Sequence, residues 1–272
     1  HRMIIKHNMT ALNGSRQYFK NVKDSQKMSE KLSSGYRINR SADDVAGLPI
    51  SEEMRGQIRG MNRSSSNCSD AMSLIQTADG ALEEMHSILD RLKELSVQSA
   101  NDTNTDSDRE AIQYEVTGLL KEIDKIGSAT EFNNKKLFHN GAKELWVQSG
   151  ANSTGGSRID IDEINTKTLN LDQISLATGD GAQDANFKVD KAIDKVSQLR
   201  AYMGAEYNRL EHSKSVDDYS SENLQASESR IRDLNMGDGM VSYSRSTILM
   251  QAGEAMIAQA NQAVQGVLSL LQ

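Results

Sequence analysis

The chain has 272 residues, with 31 Lys+Arg against 38 Asp+Glu, a net charge of −7, one proline, one cysteine and 4% aromatic residues. Proline is usually about 5% of a chain, so a single Pro49 excludes a proline-punctuated β protein and leaves room for long uninterrupted helices. The lone Cys68 permits no internal disulfide, the acidic balance gives no support for nucleic-acid binding, and no run approaches the ~18 apolar residues of a membrane span.

His1 and Arg2 before Met3 read as an expression remnant, and the first residues lack the apolar stretch of a cleaved signal peptide. A loose stripe of Ile5, Met9, Leu12, Phe19 and Leu32, broken by Arg16 on the same face, predicts a terminal helix. Pro49 disfavours helix at Leu48 and is tolerated if 35–51 is a non-helical connector or the first turn of a helix.

From Cys68 the seam Cys68, Met72, Ile75, Ala78, Leu82, Met85, Leu89, Leu92 advances in steps of four and three, which predicts a long amphipathic helix over about 51–100. The turn-rich 101–107 breaks it and caps a second helix with the seam Ile112, Val116, Leu119, Ile123, Ile126. So short a connection makes the two antiparallel neighbours. Between 128 and 181 the period changes: Leu145 to Gln148, then a Gly/Ser/Asn-rich stretch, then the alternating Arg158 to Asp162 predict a β-hairpin region at about 140–165. Val189, Ile193, Val196, Leu199, Met203 and Leu210 restore a helix to about Leu234, where Gly237 and Gly239 predict a bend. The C-terminal seam is Leu249, Ala252, Met256, Ala260, Val264, Val267, Leu271, rich in small residues that admit a close partner.

The expected fold is mainly α: an elongated bundle of long helices with a small β-hairpin region, plus terminal helices forming a coiled coil. Residues 1–46 and 236–272 make the terminal coiled-coil domain and 47–235 the helical core. Neither terminal helix can bury its seam alone, and isolated helices are marginal in water, so each needs the other or further copies of the chain.

Catalytic and metal chemistry finds no foothold. Glu83 and His86 form an E-x-x-H pair, but a two-metal site needs a second such pair and none exists. Asp160, Asp162 and Glu163 lack the oxygen ligand and glycine of a calcium loop and read as the solvent face of a strand. His139 is the single histidine between 128 and 181, so no zinc-peptidase H-E-x-x-H is present there, and no serine sits in a G-x-S-x-G elbow. The expectation is no enzyme, no metal and no cofactor.

Three stretches resemble bacterial flagellin: LSSGYRINRSADDVAGLPISEEMRGQIRG from Leu32, continued by SLIQTADGALEEMHSILDRLKELSVQSAND from Ser73; SENLQASESRIRDLNM from Ser221; and ILMQAGEAMIAQANQAVQGVLSLLQ from Ile248. The resemblance implies a structural subunit of the flagellar filament in a short form without large outer domains, self-assembling into an extracellular helical polymer for swimming motility. It implies type III export without a cleaved signal peptide, and partnership with an export chaperone, cap and hook-junction proteins. A hook–filament junction protein shares the terminal helices and is the alternative. The segment LDRLKELSVQ resembles the stretch that contacts neighbouring subunits and, in many flagellins, the animal Toll-like flagellin receptor, which implies Arg91, Leu95 and Glu115 as subunit-interface and receptor-facing positions. Neither a nucleic acid nor a membrane is an expected partner.

Overall fold

The computed structural model describes residues 8–139, 144–152 and 155–270, the last four of these through their backbone alone. Five helices carry most of the chain: α1 (Met9–Ser34), α2 (Gly47–Ser99), α3 (Asp106–Ala129), α4 (Gly179–Arg232) and α5 (Met236–Leu270). Between α3 and α4 lie β1 (Glu131–Phe132), β2 (Lys135–Lys136), β3 (Glu144–Gln148) and β4 (Gly156–Asp160). Two compact units result, one of 57–222 and one of 1–56 with 223–272.

In the unit 57–222 the heptad seams become a closed core. α2 buries Cys68, Ile75, Ala78, Leu82, Met85, Leu89 and Leu92; α3 buries Ile112, Val116 and Ile123; α4 buries Val189, Ala192, Val196, Met203 and Leu210. A capping box starts α3, where the Thr105 hydroxyl accepts from the Asp108 N–H and the Asp108 carboxylate accepts from the Thr105 N–H. Towards residue 57 the α2–α4 seam turns polar: Ser64 donates to Asp217 and Ser221 donates to Asn62. Cys68 is fully buried at that transition, and burial, with the Asp217 carboxylate second, pushes its thiol pKa up.

The antiparallel β3–β4 pair sets Glu144 opposite Asp160 and Gln148 opposite Gly156. Leu145, Val147 and Ile159 pack against the core, while Trp146 stays outside and lies across Gly156, where an added Cβ would sit 1.9 Å from the indole. Tethers fix the pair to the helices: Asn67 of α2 donates to the Gln148 carbonyl, and the Asp160 N–H donates to the Tyr202 hydroxyl of α4. The predicted hairpin thus forms from 144–148 and 156–160; residues 140–143 of the predicted region lie outside the described residues. A second pair, β1 with β2, went unread. Its signal was the dipeptide Asn133-Asn134, whose φ values of 50° and 62° make the left-handed two-residue turn that Asn tolerates.

In the other unit α1 and α5 pack antiparallel. Asn8 donates to the Ala260 carbonyl at one end, and Leu32 lies beside Gly239 at the other. Gly35, at φ 74°, closes α1 by donating to the Lys31 carbonyl. The connector 35–46 then runs beside 232–234: the Arg37 N–H donates to the Arg232 carbonyl, the Leu234 N–H to the Gly35 carbonyl, and Arg232 stacks on Tyr36 at 4.9 Å while pairing with Glu52. Asp44 caps α2 through the N–H groups of Ala46 and Gly47. Pro49 falls in the first helical turn, where its missing N–H has no helical partner to lose. The bend expected at Gly237 and Gly239 lies just before them. The chain leaves helix at 233–235, and both glycines sit in the first turn of α5 under the Asn235 side chain.

Gly127 is buried on α3 with an added Cβ placed 2.3 Å from the Ile164 carbonyl oxygen, whereas Gly118 on the same helix faces open space. We expect Gly127→Ala to destabilise the protein by about 1–3 kcal/mol and Gly118→Ala to stabilise it by up to about 1 kcal/mol, read as opposite shifts of the urea midpoint. Equal signs would refute the packing argument. In the connector, the Lys27 ammonium 2.9 Å away and the N–H groups of Asn39 and Arg40 hold the Asp43 carboxyl down to about 2. A lowered folded pKa stabilises above the ordinary carboxylate value of ~3.9 and ceases to as pH falls through about 2. The stability difference between the native chain and Asp43→Asn should therefore be constant above about pH 5 and vanish near pH 2 in acid unfolding curves.

Candidate functional site

The surfaces with unmet physical demands lie on α1 and α5. Along α5 the half-buried positions Tyr243, Ser246, Met250, Gly253, Ile257, Ala260 and Val264 recur in steps of three and four and face α1. Along α1 the matching stripe is Ala11, Ser15, Tyr18, Val22, Ser25, Met28 and Leu32. Small residues at these positions let the backbones approach: an added Cβ on Gly14 would lie 3.2 Å from Ile257, and one on Gly253 3.7 Å from Tyr18.

Several large apolar side chains point away from this contact. Met9, Leu12 and Phe19 are exposed on α1, Phe19 to 67%. On α5, Val241, Ile248, Leu249 and Met256 are exposed, Met256 to 63%. Of the predicted C-terminal seam, only Ala260 and Val264 are half-buried; Leu249, Ala252 and Met256 face outward, and the side chains of Val267 and Leu271 lie outside the described residues. On α1 the predicted Ile5 also lies outside them, and Met9, Leu12 and Phe19 face away from α5. The α1–α5 contact uses a neighbouring seam, from Tyr243 through Gly253 to Val264, which shares Ala260 and Val264 with the predicted one.

A second surface joins α2 to α3. Arg91 donates to Glu94 on its own helix and to Glu115 on α3, both at 2.9 Å, and these carboxylates raise its pKa further. Arg91 and Glu115 are thereby brought together in solvent. Leu95 is not with them. It is 1% exposed, because steps of three from Leu89 and Leu92 carry it into the core, so Arg91 and Leu95 do not share an exposed face.

Among the described residues no three His, Cys, Asp or Glu side chains could hold a metal ion, and His86 meets only Asp90, at 3.7 Å. A recess of about 590 Å³ between α2 and β3 is floored by Leu74, Phe132, Leu145 and Val147 and rimmed by Asn67, Asp70 and Lys135, with no nucleophile beside a base. No helix is long and apolar enough to cross a membrane among the described residues.

Residues 5–143 match the bacterial flagellin N-terminal helical region and residues 187–271 the bacterial flagellin C-terminal helical region. The chain is 47% identical over 275 residues to a flagellin of Halalkalibacterium halodurans and 45% identical over 304 residues to one of Bacillus subtilis, in each case across 99% of this chain and 100% of the relative. It is 42% identical over 286 residues to the flagellar filament 33 kDa core protein of Treponema phagedenis, with the same coverage. Among solved structures it is similar to a Bacillus cereus flagellin, at TM-score 0.50 and 33% identity over 56% of this chain and 88% of that one. Only 144–186, the β3–β4 hairpin, the loop after it and the first two turns of α4, separates the two family regions, so no large outer domain intervenes. The chain belongs to the bacterial flagellin family, in its short form, and is a structural subunit of the flagellar filament, not an enzyme.

Proposed function

We propose that the outward apolar stripes of α1 and α5 are the seams along which copies of this chain polymerise. One observation carries this: α5 is apolar on two faces, and α1 covers one. A helix apolar all round calls for burial all round, and neighbouring copies can supply the second partner. Tyr18, Gly253 and Ile257 would hold the pair within a subunit, while Ile248, Leu249 and Met256 would join subunits. The outward members of the predicted C-terminal seam, Leu249, Ala252 and Met256, would then lie between molecules.

The finer partners follow from the same need. Before assembly the second face of α5 must be covered or kept unfolded, which suits an export chaperone, type III export as an unfolded chain without a cleaved signal peptide, and addition at the tip beneath a cap protein. Hook-junction proteins would present the same kind of terminal helices at the base. A hook–filament junction role for the chain itself would yield short assemblies, so electron microscopy showing filaments hundreds of subunits long would set it aside.

Burying a Met or Ile side chain contributes about 1.5–3 kcal/mol, and each 1.4 kcal/mol is tenfold in an equilibrium constant. Ile248→Glu and Met256→Glu should each raise the critical concentration for polymerisation about tenfold or more, measured by sedimentation, with the circular dichroism of the monomer unchanged. Wild-type critical concentrations in both variants would sink the seam assignment.

A receptor-facing role rests on Arg91 with Glu115, the two exposed members of the expected epitope. Arg91→Ala should weaken binding of the monomer to the Toll-like flagellin receptor about tenfold at unchanged stability. Leu95→Ala should instead cost about 2–5 kcal/mol of stability, as a buried leucine does. A selective loss of binding in Leu95→Ala at full stability would contradict this division.

A further inference from the structure

We infer that a row of cations on α1 and a row of carboxylates on α4 form an ion-pair ladder between copies of this chain, an inference that rests on the filament reading above. Arg16, Lys20, Lys23 and Lys27 follow one another on α1 in steps of four, three and four, and all are exposed. At 100° per residue they fall within an arc of about 60°, opposite the stripe that faces α5. Among the described residues Arg16, Lys20 and Lys23 form no ion pair, and Lys27 meets Asp43.

Glu211, Asp218 and Glu222 repeat the same pattern on α4. Ser215 stands at the remaining position, so the steps are again four, three and four. All three carboxylates are exposed, and none forms an ion pair among the described residues. Each row covers about 16 Å at 1.5 Å per residue. Three pairs close with the helices parallel, through Arg16, Lys23 and Lys27, or antiparallel, through Arg16, Lys20 and Lys27.

The wider charge distribution points the same way. Residues 1–56 with 223–272 hold 13 Lys+Arg and 10 Asp+Glu, whereas 57–222 hold 18 and 28. The acidic excess of the whole chain therefore resides in 57–222, and the cation row lies in the other unit. A second copy supplies the complementary row at matching spacing.

One exposed ion pair shifts an equilibrium constant only about 1.5- to 5-fold. Three in register at every subunit contact multiply, and a slip by one heptad keeps at most two of them. The ladder would thus fix the position of one copy on the next, while the apolar seams supply the bulk of the affinity.

The test uses the full chain as Lys20→Glu/Lys23→Glu, as Asp218→Lys, and as all three substitutions together, with critical concentration read by sedimentation at 50 mM and 500 mM salt. Each of the first two variants should raise the critical concentration about tenfold at low salt and less at high salt, where screening shortens to a few ångströms. The triple variant restores three opposite-charge pairs in either orientation and should return to within about threefold of wild type, with the monomer's circular dichroism unchanged throughout. A one-sided variant that assembles like wild type at 50 mM, or a triple variant no better than the one-sided ones, would overturn the ladder. Wild-type protein that polymerises at neither salt would instead remove the filament reading itself. If Lys20→Glu/Lys23→Glu lost binding to phosphatidylglycerol vesicles with polymerisation unaltered, the row would be a membrane-facing surface and the ladder would likewise fall.

Discussion

A helix that is apolar on two faces cannot be satisfied by one partner, and α5 is such a helix. Its contact with α1 combines small residues such as Gly14, Ser15, Gly253 and Ala260, which let the backbones come close, with Tyr18, Val22, Met250 and Ile257, all of them half-buried. Phe19, Ile248 and Met256 remain exposed, and their cover by a second partner is worth roughly 25 cal/mol per Å². The unit 57–222 obeys the same heptad rule with the opposite result. There the large side chains Leu82, Leu89, Val196 and Leu210 face inward and the seams close on one another. One half of the chain is complete by itself, and the other is built to be completed.

The connector after α1 shows how chain ends of this kind stay anchored without a core. Only Ile38 is deeply buried there. Order comes from polar contacts instead: Gly35 ends α1, Asp43 gathers Lys27 and two backbone N–H groups, Asp44 starts α2, and residues 35–37 pair with 232–234. Pro49 is compatible because it enters α2 within the first turn, where helices leave N–H groups unpaired in any case. The same logic admits Gly237 and Gly239 at the start of α5, where Asn235 caps the turn.

Most of this fold was legible because its period is long and regular. The seams of α2, α3 and α4 repeat over several turns, and the alternation of Arg158 to Asp162 against Leu145 to Gln148 marks the hairpin. What periodicity missed is instructive. β1 and β2 are two residues each, too short for any period to emerge, and only the turn chemistry of Asn133-Asn134 betrays them. Leu95 lay four residues from Arg91, which suggested a common face, yet the seam drifts round the helix and takes Leu95 inward. On α1 and α5 hydrophobicity pointed to the right partner helix but to a different face, because Met9, Leu12, Phe19, Leu249 and Met256 stay exposed in the monomer. Sequence periodicity identifies a face that needs a partner; it does not say whether that partner belongs to the same molecule.

Apolar stripes alone leave a further problem for a polymer of identical parts. A seam of Leu, Ile, Met and Ala tolerates sliding by a heptad, since the same residue types recur every seven positions, so affinity without register would give irregular assemblies. Charges at fixed steps oppose it, because a heptad slip that preserves apolar contact keeps at most two of the three ion pairs and leaves end charges unpaired. On α1 the two tasks share one face, since Met9, Leu12 and Phe19 lie with Arg16, Lys20 and Lys23 on the side turned away from α5, while the apolar excess of α5 and the carboxylate row of α4 sit on separate helices. Strength and register can then be set by different residues, and a change in salt or in one charged side chain would move the register while leaving the hydrophobic seam intact.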